Sequence, residues 1–270
     1  RPLVLLLAAG AILFKPARQH PGLWFCLTLL TVLRVTLDWP LADNHAYLLS
    51  YWCLAVGLSL AVKNSRTCLA LNGRLLIAWV FLFATAWKLF LSPDFMDARF
   101  FRVTFILDER FEGFARLAGG LSLDQLYLLR DVIGQHVDGP LLSGAPSLDL
   151  SKRFLWLAHF TTYWTVLIEG LLAMAFFWPK GKGLSKLRDL LLICFCATTY
   201  AIATVDGFGW LLIAMGVAQC DSDRRRTRLC YLGTFALILF YREVPWAEFM
   251  LDLVAAIPLE TATLHGVGLV

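Results

Sequence analysis

Apolar segments follow one another along most of this chain, at 2–14, 22–37, 46–62, 75–91, 154–178, 189–205, 208–219 and 229–241. A helix that is apolar all round has no face to offer to water and must lie in a core or in lipid. Of the 270 residues, 59% are hydrophobic and only 16% are charged, and the mean hydropathy is +0.68. A soluble domain carries about 25% charged residues, so this pattern predicts an all-α, polytopic integral membrane bundle of about eight spans. Several segments fall short of the roughly 20 residues of a full span, which predicts soft boundaries or helices that dip and pair. Arg1 stands where a start methionine would, so the natural chain is expected to begin earlier. The run 2–14 then reads as the tail of a first span rather than a signal peptide.

The charges give an orientation. Lys15 and Arg18 follow the first segment, and Lys63, Arg66 and Arg74 surround the next connection on that side. Lys180, Lys182, Lys186 and Arg188 occupy a third connection, and Arg224, Arg225, Arg226 and Arg228 a fourth. These are alternate connections, so the basic side is expected to be cytoplasmic, with the protein in a bacterial inner membrane. Spread over loops in this way, the net charge of +4 gives no reason to expect a nucleic-acid partner. The opposite side carries Asp38, Asp43, the segment 92–153, the Asp206-Gly207 turn and the chain after Tyr241. The whole chain, 1–270, reads as one membrane domain. Within 92–153, Phe100–Ile106 and Leu121–Val137 have helical apolar spacing and are separated by Gly119-Gly120. They are expected to lie on the outer surface or to cap the bundle, with Arg99, Arg102, Asp108, Glu109, Arg110, Glu112 and Arg116 forming a solvated, salt-bridged face. The stretch 246–270 is a last span, a re-entrant piece or an interfacial helix. The seven cysteines fit no zinc spacing and read as small packing residues.

Against this background Lys88 is out of place. It lies near the end of the apolar run 75–91, where an ionisable side chain costs about 2.5–3.5 kcal/mol on insertion scales and marks a candidate site. The plain alternative is a lysine that snorkels to the interface. Other unusual polar residues fall at the same depth: Asn44, His45 and Tyr47 at the outer start of the third segment, His159, Thr162 and Tyr163 in the fifth, and Tyr200, Thr204 and Asp206 at the end of the sixth. Glu169, two helical turns beyond Thr162, continues a polar stripe toward the bundle interior, where it would bond a helix backbone or pair with Arg34 if it had no chemical role. A desolvated lysine is more easily neutral and can act as general base toward a phenol or quinol hydroxyl, with a histidine hydrogen-bonding the oxyanion. Taken singly, each histidine also fits a packing or interface role. Their spacing, with Lys88, suits no metal, and none is expected.

Asn44-His45-Ala46-Tyr47-Leu48 resembles the Asn-His-x-Tyr-Leu element of the vitamin K-dependent γ-glutamyl carboxylase family. Trp87-Lys88-Leu89 followed by Pro93-Asp94-Phe95 is similar to its lysine-leucine pair with a following Asp and aromatic. His159, Glu169 and Gly207-Phe208-Gly209 recur in the same order, so the resemblance covers about 22–219, the region shared with the bacterial horizontally transferred transmembrane domain. It implies that Lys88 deprotonates a reduced quinone of the vitamin K hydroquinone type, with His45 assisting and Asn44 hydrogen-bonding the quinol. Tyr47, His159, Thr162, Tyr163 and Glu169 would line the substrate pocket. In the family, oxygenation then yields a strong base that removes a γ-proton from a peptidyl Glu, and CO₂ adds to the carbanion. The chain departs from the family at Phe195–Tyr200, where a histidine and a polar patch are missing. Only the short stretch after Tyr241 stands where the large propeptide-binding domain would be. A peptide or protein substrate is one expected partner, beside the lipid bilayer. The alternative reading is a non-enzymatic subunit of a peptide-maturation, immunity or transport complex, in which Lys88 and His159 only hold helices together.

Overall fold

The computed structural model describes residues 2–138, 148, 150–203, 205, 207–221 and 223–256. Among them all regular structure is helical. The order is α1 (Pro2–Leu13), α2 (Lys15–Gln19), α3 (Pro21–Leu37), α4 (Asn44–Leu60), α5 (Ser65–Ala86), α6 (Pro93–Met96), α7 (Arg99–Leu107), α8 (Glu112–Leu117), α9 (Leu123–Asp138), α10 (Lys152–Phe177), α11 (Arg188–Ile202), α12 (Phe208–Gln219), α13 (Arg225–Glu243) and α14 (Trp246–Ala256). Each apolar segment read from the sequence coincides with one of these helices, and the two amphipathic stretches of 92–153 are α7 and α9. Among the described residues, two helices are long and apolar enough to cross a membrane: Ser65–Leu91, which is α5 with the turn that extends it, and Lys152–Phe177. The helices α1, α3 and α12 are apolar but shorter. The final stretch begins as α14, and its remainder, 257–270, lies outside the described residues.

Within the length expected as one domain, packing separates two compact units, residues 1–101 with 158–243 and residues 102–157 with 244–270. The core of the first is built from side chains on six helices, among them Leu48 on α4, Phe81 on α5, Phe176 on α10, Phe195 and Tyr200 on α11, Leu212 on α12 and Tyr231 on α13. The outer surface of this unit is also apolar: Leu29, Leu33, Phe83, Leu167, Leu190 and Leu232 are all exposed. Many of the hydroxyls inside it are settled locally. Hydroxyls of Thr31, Ser59, Thr85, Thr165, Thr198 and Thr234 each donate to the carbonyl four residues back, the bond open to Ser and Thr in a helix without water nearby. All seven cysteines are free thiols.

The second unit is organised around aromatic rings. Phe105 packs with Phe111, Phe114 and Phe154 at centroid separations of 5.3, 5.8 and 6.3 Å. Arg130 ties α9 to this group, donating to the Ile106 carbonyl at 2.7 Å and to Glu112 at 2.8 Å. The charged face expected between residues 99 and 116 carries ion pairs of Arg110 with Asp108 in this unit and of Arg99 with Asp94 and Asp97 in the first. The bond from Arg110 holds the Asp108 carboxyl below the usual carboxylate range, against a smaller opposing effect of burial.

Helix α12 meets α13 at Gly216, where a Cβ would lie 2.6 Å from the Tyr231 ring. Gly216→Ala is therefore expected to destabilise the protein by about 1–3 kcal/mol, the usual cost of overpacking a filled core. Thermal unfolding of the purified variant beside the parent chain measures it, and an unchanged midpoint would contradict this packing.

Candidate functional site

Lys88 sits in a turn of π-helix, Trp87–Leu91, that continues α5. Such turns are rare and tend to occur at functional sites, because the extra residue re-aims the side chains that follow. From this turn Nζ reaches α10 and donates to both carboxylate oxygens of Glu169, at 2.9 Å to Oε1 and 2.7 Å to Oε2. The Lys88 and Glu169 side chains are only 18% and 9% exposed. The ammonium also lies over the Phe95 ring, 5.3 Å from its centroid, and Phe95 in turn packs on Phe100 and Phe101. A carboxylate on one side and an aromatic face on the other thus offset part of the cost of withdrawing the amine from water. The pairing of Glu169 with Arg34 does not occur: Arg34 bonds Asp38, one turn along, at 3.4 Å.

The ion pair borders a cavity of about 800 Å³ in the first unit. Asn44, His45 and Leu48 line it from the start of α4. Val80, Phe81, Phe83, Ala84 and Trp87 form the α5 side, and Ser92, Phe95, Phe100, Val205 and Phe208 complete it. The walls are largely aromatic, and Asn44, His45, Lys88, Ser92 and Glu169 supply the polar groups. His45 Nε2 lies 3.8 Å from Asp43 Oδ2. Gly207, at φ +87, turns the chain into α12 and brings Phe208 to the cavity. That conformation suits only glycine, and a Cβ there would meet the His45 ring at 3.5 Å.

Of the residues singled out from the sequence, the fold brings together Asn44, His45, Lys88 and Glu169. Tyr47 is half-buried on α4 and does not line the cavity. Along α10 the expected polar stripe divides in two. Thr162 and Glu169 are buried, whereas His159 and Tyr163 are exposed and stack on each other with centroids 6.3 Å apart. Among the described residues Thr162 Oγ1 has no hydrogen-bond partner, and it is not part of the lining. Tyr200 is buried and donates to the Val205 carbonyl at 2.9 Å, while Thr204 and Asp206 lie outside the described residues. Ser92 and Phe81 line the cavity without having stood out in the sequence; a serine beside a proline and an aromatic in an apolar run carry no distinguishing signal. Among the described residues, no three His, Cys, Asp or Glu side chains gather where they could hold a metal ion. In comparisons with known proteins, the chain matches no family model, no curated protein and no solved structure.

Removing one member of a buried pair strands the other charge, at a typical cost of about 3–5 kcal/mol, whereas replacing both by apolar groups is often close to neutral. Lys88→Met alone is therefore expected to lower thermal stability sharply, and Lys88→Met with Glu169→Leu to restore most of it. A double-mutant cycle on unfolding midpoints checks this, and additive losses would show that the two groups do not depend on each other.

Proposed function

We propose that this chain is a polytopic membrane protein whose cavity takes a quinol or a similar lipid-soluble weak acid, with Lys88 as general base. The observation that carries the reading is the Lys88–Glu169 pair set into the wall of an aromatic cavity of about 800 Å³. This volume and lining fit a flat, hydroxylated ring, because drug-sized ligands are held by apolar walls with a few convergent polar groups. The resemblance of 44–48 and 87–95 to the carboxylase family supports the same choice of base and ligand. Two spanning-length helices, an apolar exterior and hydroxyls satisfied within their own helices support the membrane setting. The unequal distribution of Lys and Arg favours a cytoplasmic face for the loops around Lys182 and Arg225 and an outer position for 92–153.

A bound quinol would supply the acidic hydroxyl. The residues supply proton transfer and orientation. For Nζ to act as base, its ammonium proton has to pass to a Glu169 carboxylate oxygen along the bond that joins them, leaving an amine and a carboxylic acid. The free amine then accepts the hydroxyl proton at Nζ. His45 and Asn44, which line the α4 side of the cavity, would hydrogen-bond a ligand oxygen and hold the ring against Phe81 and Phe208.

Lys88→Arg separates this role from anchoring, because a guanidinium keeps its charge but does not give up a proton. Quinol turnover is expected to be lost, with quinone binding and the unfolding midpoint close to those of the parent chain. Full turnover in Lys88→Arg would remove the general-base role. The bidentate bond between Lys88 and Glu169 also favours a second reading, a non-enzymatic subunit in which the pair only locks α5 to α10. On that reading no quinone binds, and both Lys88→Arg and the apolar double replacement leave function intact.

Orientation has its own test. Single cysteines at the exposed positions Asp124 and Lys182, compared with the unsubstituted chain in intact cells, are expected to differ in their reaction with an impermeant thiol reagent. Asp124→Cys should label from outside and Lys182→Cys only after the cytoplasmic face is opened. The reverse pattern would invert the topology and place the cavity on the other side.

A further inference from the structure

A second polar centre in the first unit stands apart from the cavity, where the ends of several helices gather cations. Arg74 lies on α5, Lys180 just beyond α10, Arg188 at the start of α11, Arg224 just before α13 and Arg228 in its first turn. Most of these charges are accounted for. Arg74 closes the end of α10, donating from Nε to the Phe176 carbonyl at 2.7 Å and from Nη2 to those of Phe177, at 3.3 Å, and Trp178. Lys180 bonds Asp221 at 2.6 Å, and Arg228 Nη2 donates to the Cys220 carbonyl at 3.2 Å. Asp189 is also committed. Its Oδ1 accepts from Gln219 Nε2 and, at 2.8 Å, from the Tyr231 hydroxyl, while Oδ2 lies 3.8 Å from Arg224 Nη1.

Arg188 is the exception. It is only 4% exposed, yet among the described residues it makes no hydrogen bond and no ion pair, and its Nε is buried without an acceptor. Arg74 is close enough to repel it, and Asp221, the carboxylate that feels its charge, is already bonded to Lys180. Arg228 Nε is likewise buried without an acceptor. A guanidinium does not escape such a position by losing its proton, so a buried one calls for an anion. Its planar fork of donors matches a phosphate better than any other common anionic group except a carboxylate. Among the described residues, the carboxylates that these cations pair with are Asp189 and Asp221, and both are occupied. Exposed apolar side chains flank the cluster, Leu187 and Leu190 around Arg188 and Leu229 and Leu232 beside Arg228.

We propose that this cluster binds a phosphate group, with Arg188 as the buried anchor and the half-exposed Arg224 as the outer contact, and that the phosphate is the headgroup of an anionic phospholipid whose chains lie along the flanking leucines. The lipid source rests on the membrane reading above; the phosphate site rests on Arg188 alone.

The test uses the full chain purified in detergent and stripped of lipid, with phosphatidylglycerol, phosphatidylcholine and inorganic phosphate as probes. Binding is followed by native mass spectrometry and by the shift in unfolding midpoint. Phosphatidylglycerol is expected to bind and stabilise the parent chain more strongly than phosphatidylcholine. Arg188→Gln and Arg224→Gln should each weaken phosphatidylglycerol by about ten-fold or more, the loss expected of a charge-assisted hydrogen bond. Arg224 lies on the surface, so its variant keeps the test valid if Arg188→Gln folds poorly. Stabilisation by inorganic phosphate but not by either lipid, lost in the same variants, would keep the anion site and count against both the lipid source and the membrane reading. Equal binding of the two lipids with no effect of inorganic phosphate, or phosphatidylglycerol binding unchanged in both variants, would overturn the proposal.

Discussion

A polar group buried between apolar helices has to find its partner within the protein, and this requirement shapes the first unit more than any single apolar contact. Most hydroxyls meet it inside their own helix, as Thr31, Ser59, Thr85 and Thr234 do through bonds to the preceding turn. Those bonds leave the helices free to rotate and slide against one another. Bonds between helices remove that freedom. Lys88 with Glu169 sets α5 against α10, Arg74 sets α5 against the other end of the same helix, and Asp189 with Gln219 and Tyr231 joins α11, α12 and α13. Dispersion and small-residue contacts such as that of Gly216 with Tyr231 then fill the space that these ties define.

The helices were legible in the sequence because uninterrupted apolar runs of this kind close their backbone hydrogen bonds most cheaply as helices, and each of the eight runs is one. Lys88 was legible as well, from the cost of an amine in such a run. Its partner was not. Glu169 stood out as a charge in the fifth run, but choosing Lys88 over Arg34 requires the rotation of α5, and the π turn at Trp87–Leu91 alters that rotation without leaving a trace in composition. On α10, depth alone had grouped His159 and Tyr163 with Glu169. Helical geometry separates them: Thr162 and Glu169 are seven residues apart and share the inner face, while His159 and Tyr163 are four apart and share the outer one. The cluster around Asp189 went unnoticed, because an Asp beside an Arg at the start of a helix reads as an ordinary loop end until Gln219 and Tyr231 are seen to converge on it.

The two polar centres differ in a way that follows from the side chains themselves. At the cavity, a lysine meets a carboxylate, and both can change protonation state. A proton can in principle pass between the two groups, which is what proton-transfer chemistry needs. At the other centre the buried cation is an arginine, which stays charged in any protein environment. No internal proton transfer relieves Arg188, and the neighbouring carboxylates are bonded elsewhere. A lysine at 188 could have neutralised itself in place; an arginine keeps the site positive whether or not an anion is present. With a quinol at the first centre and a phospholipid at the second, as proposed, the first arrangement suits turnover, and the second suits a lasting hold on a phosphate that keeps its negative charge.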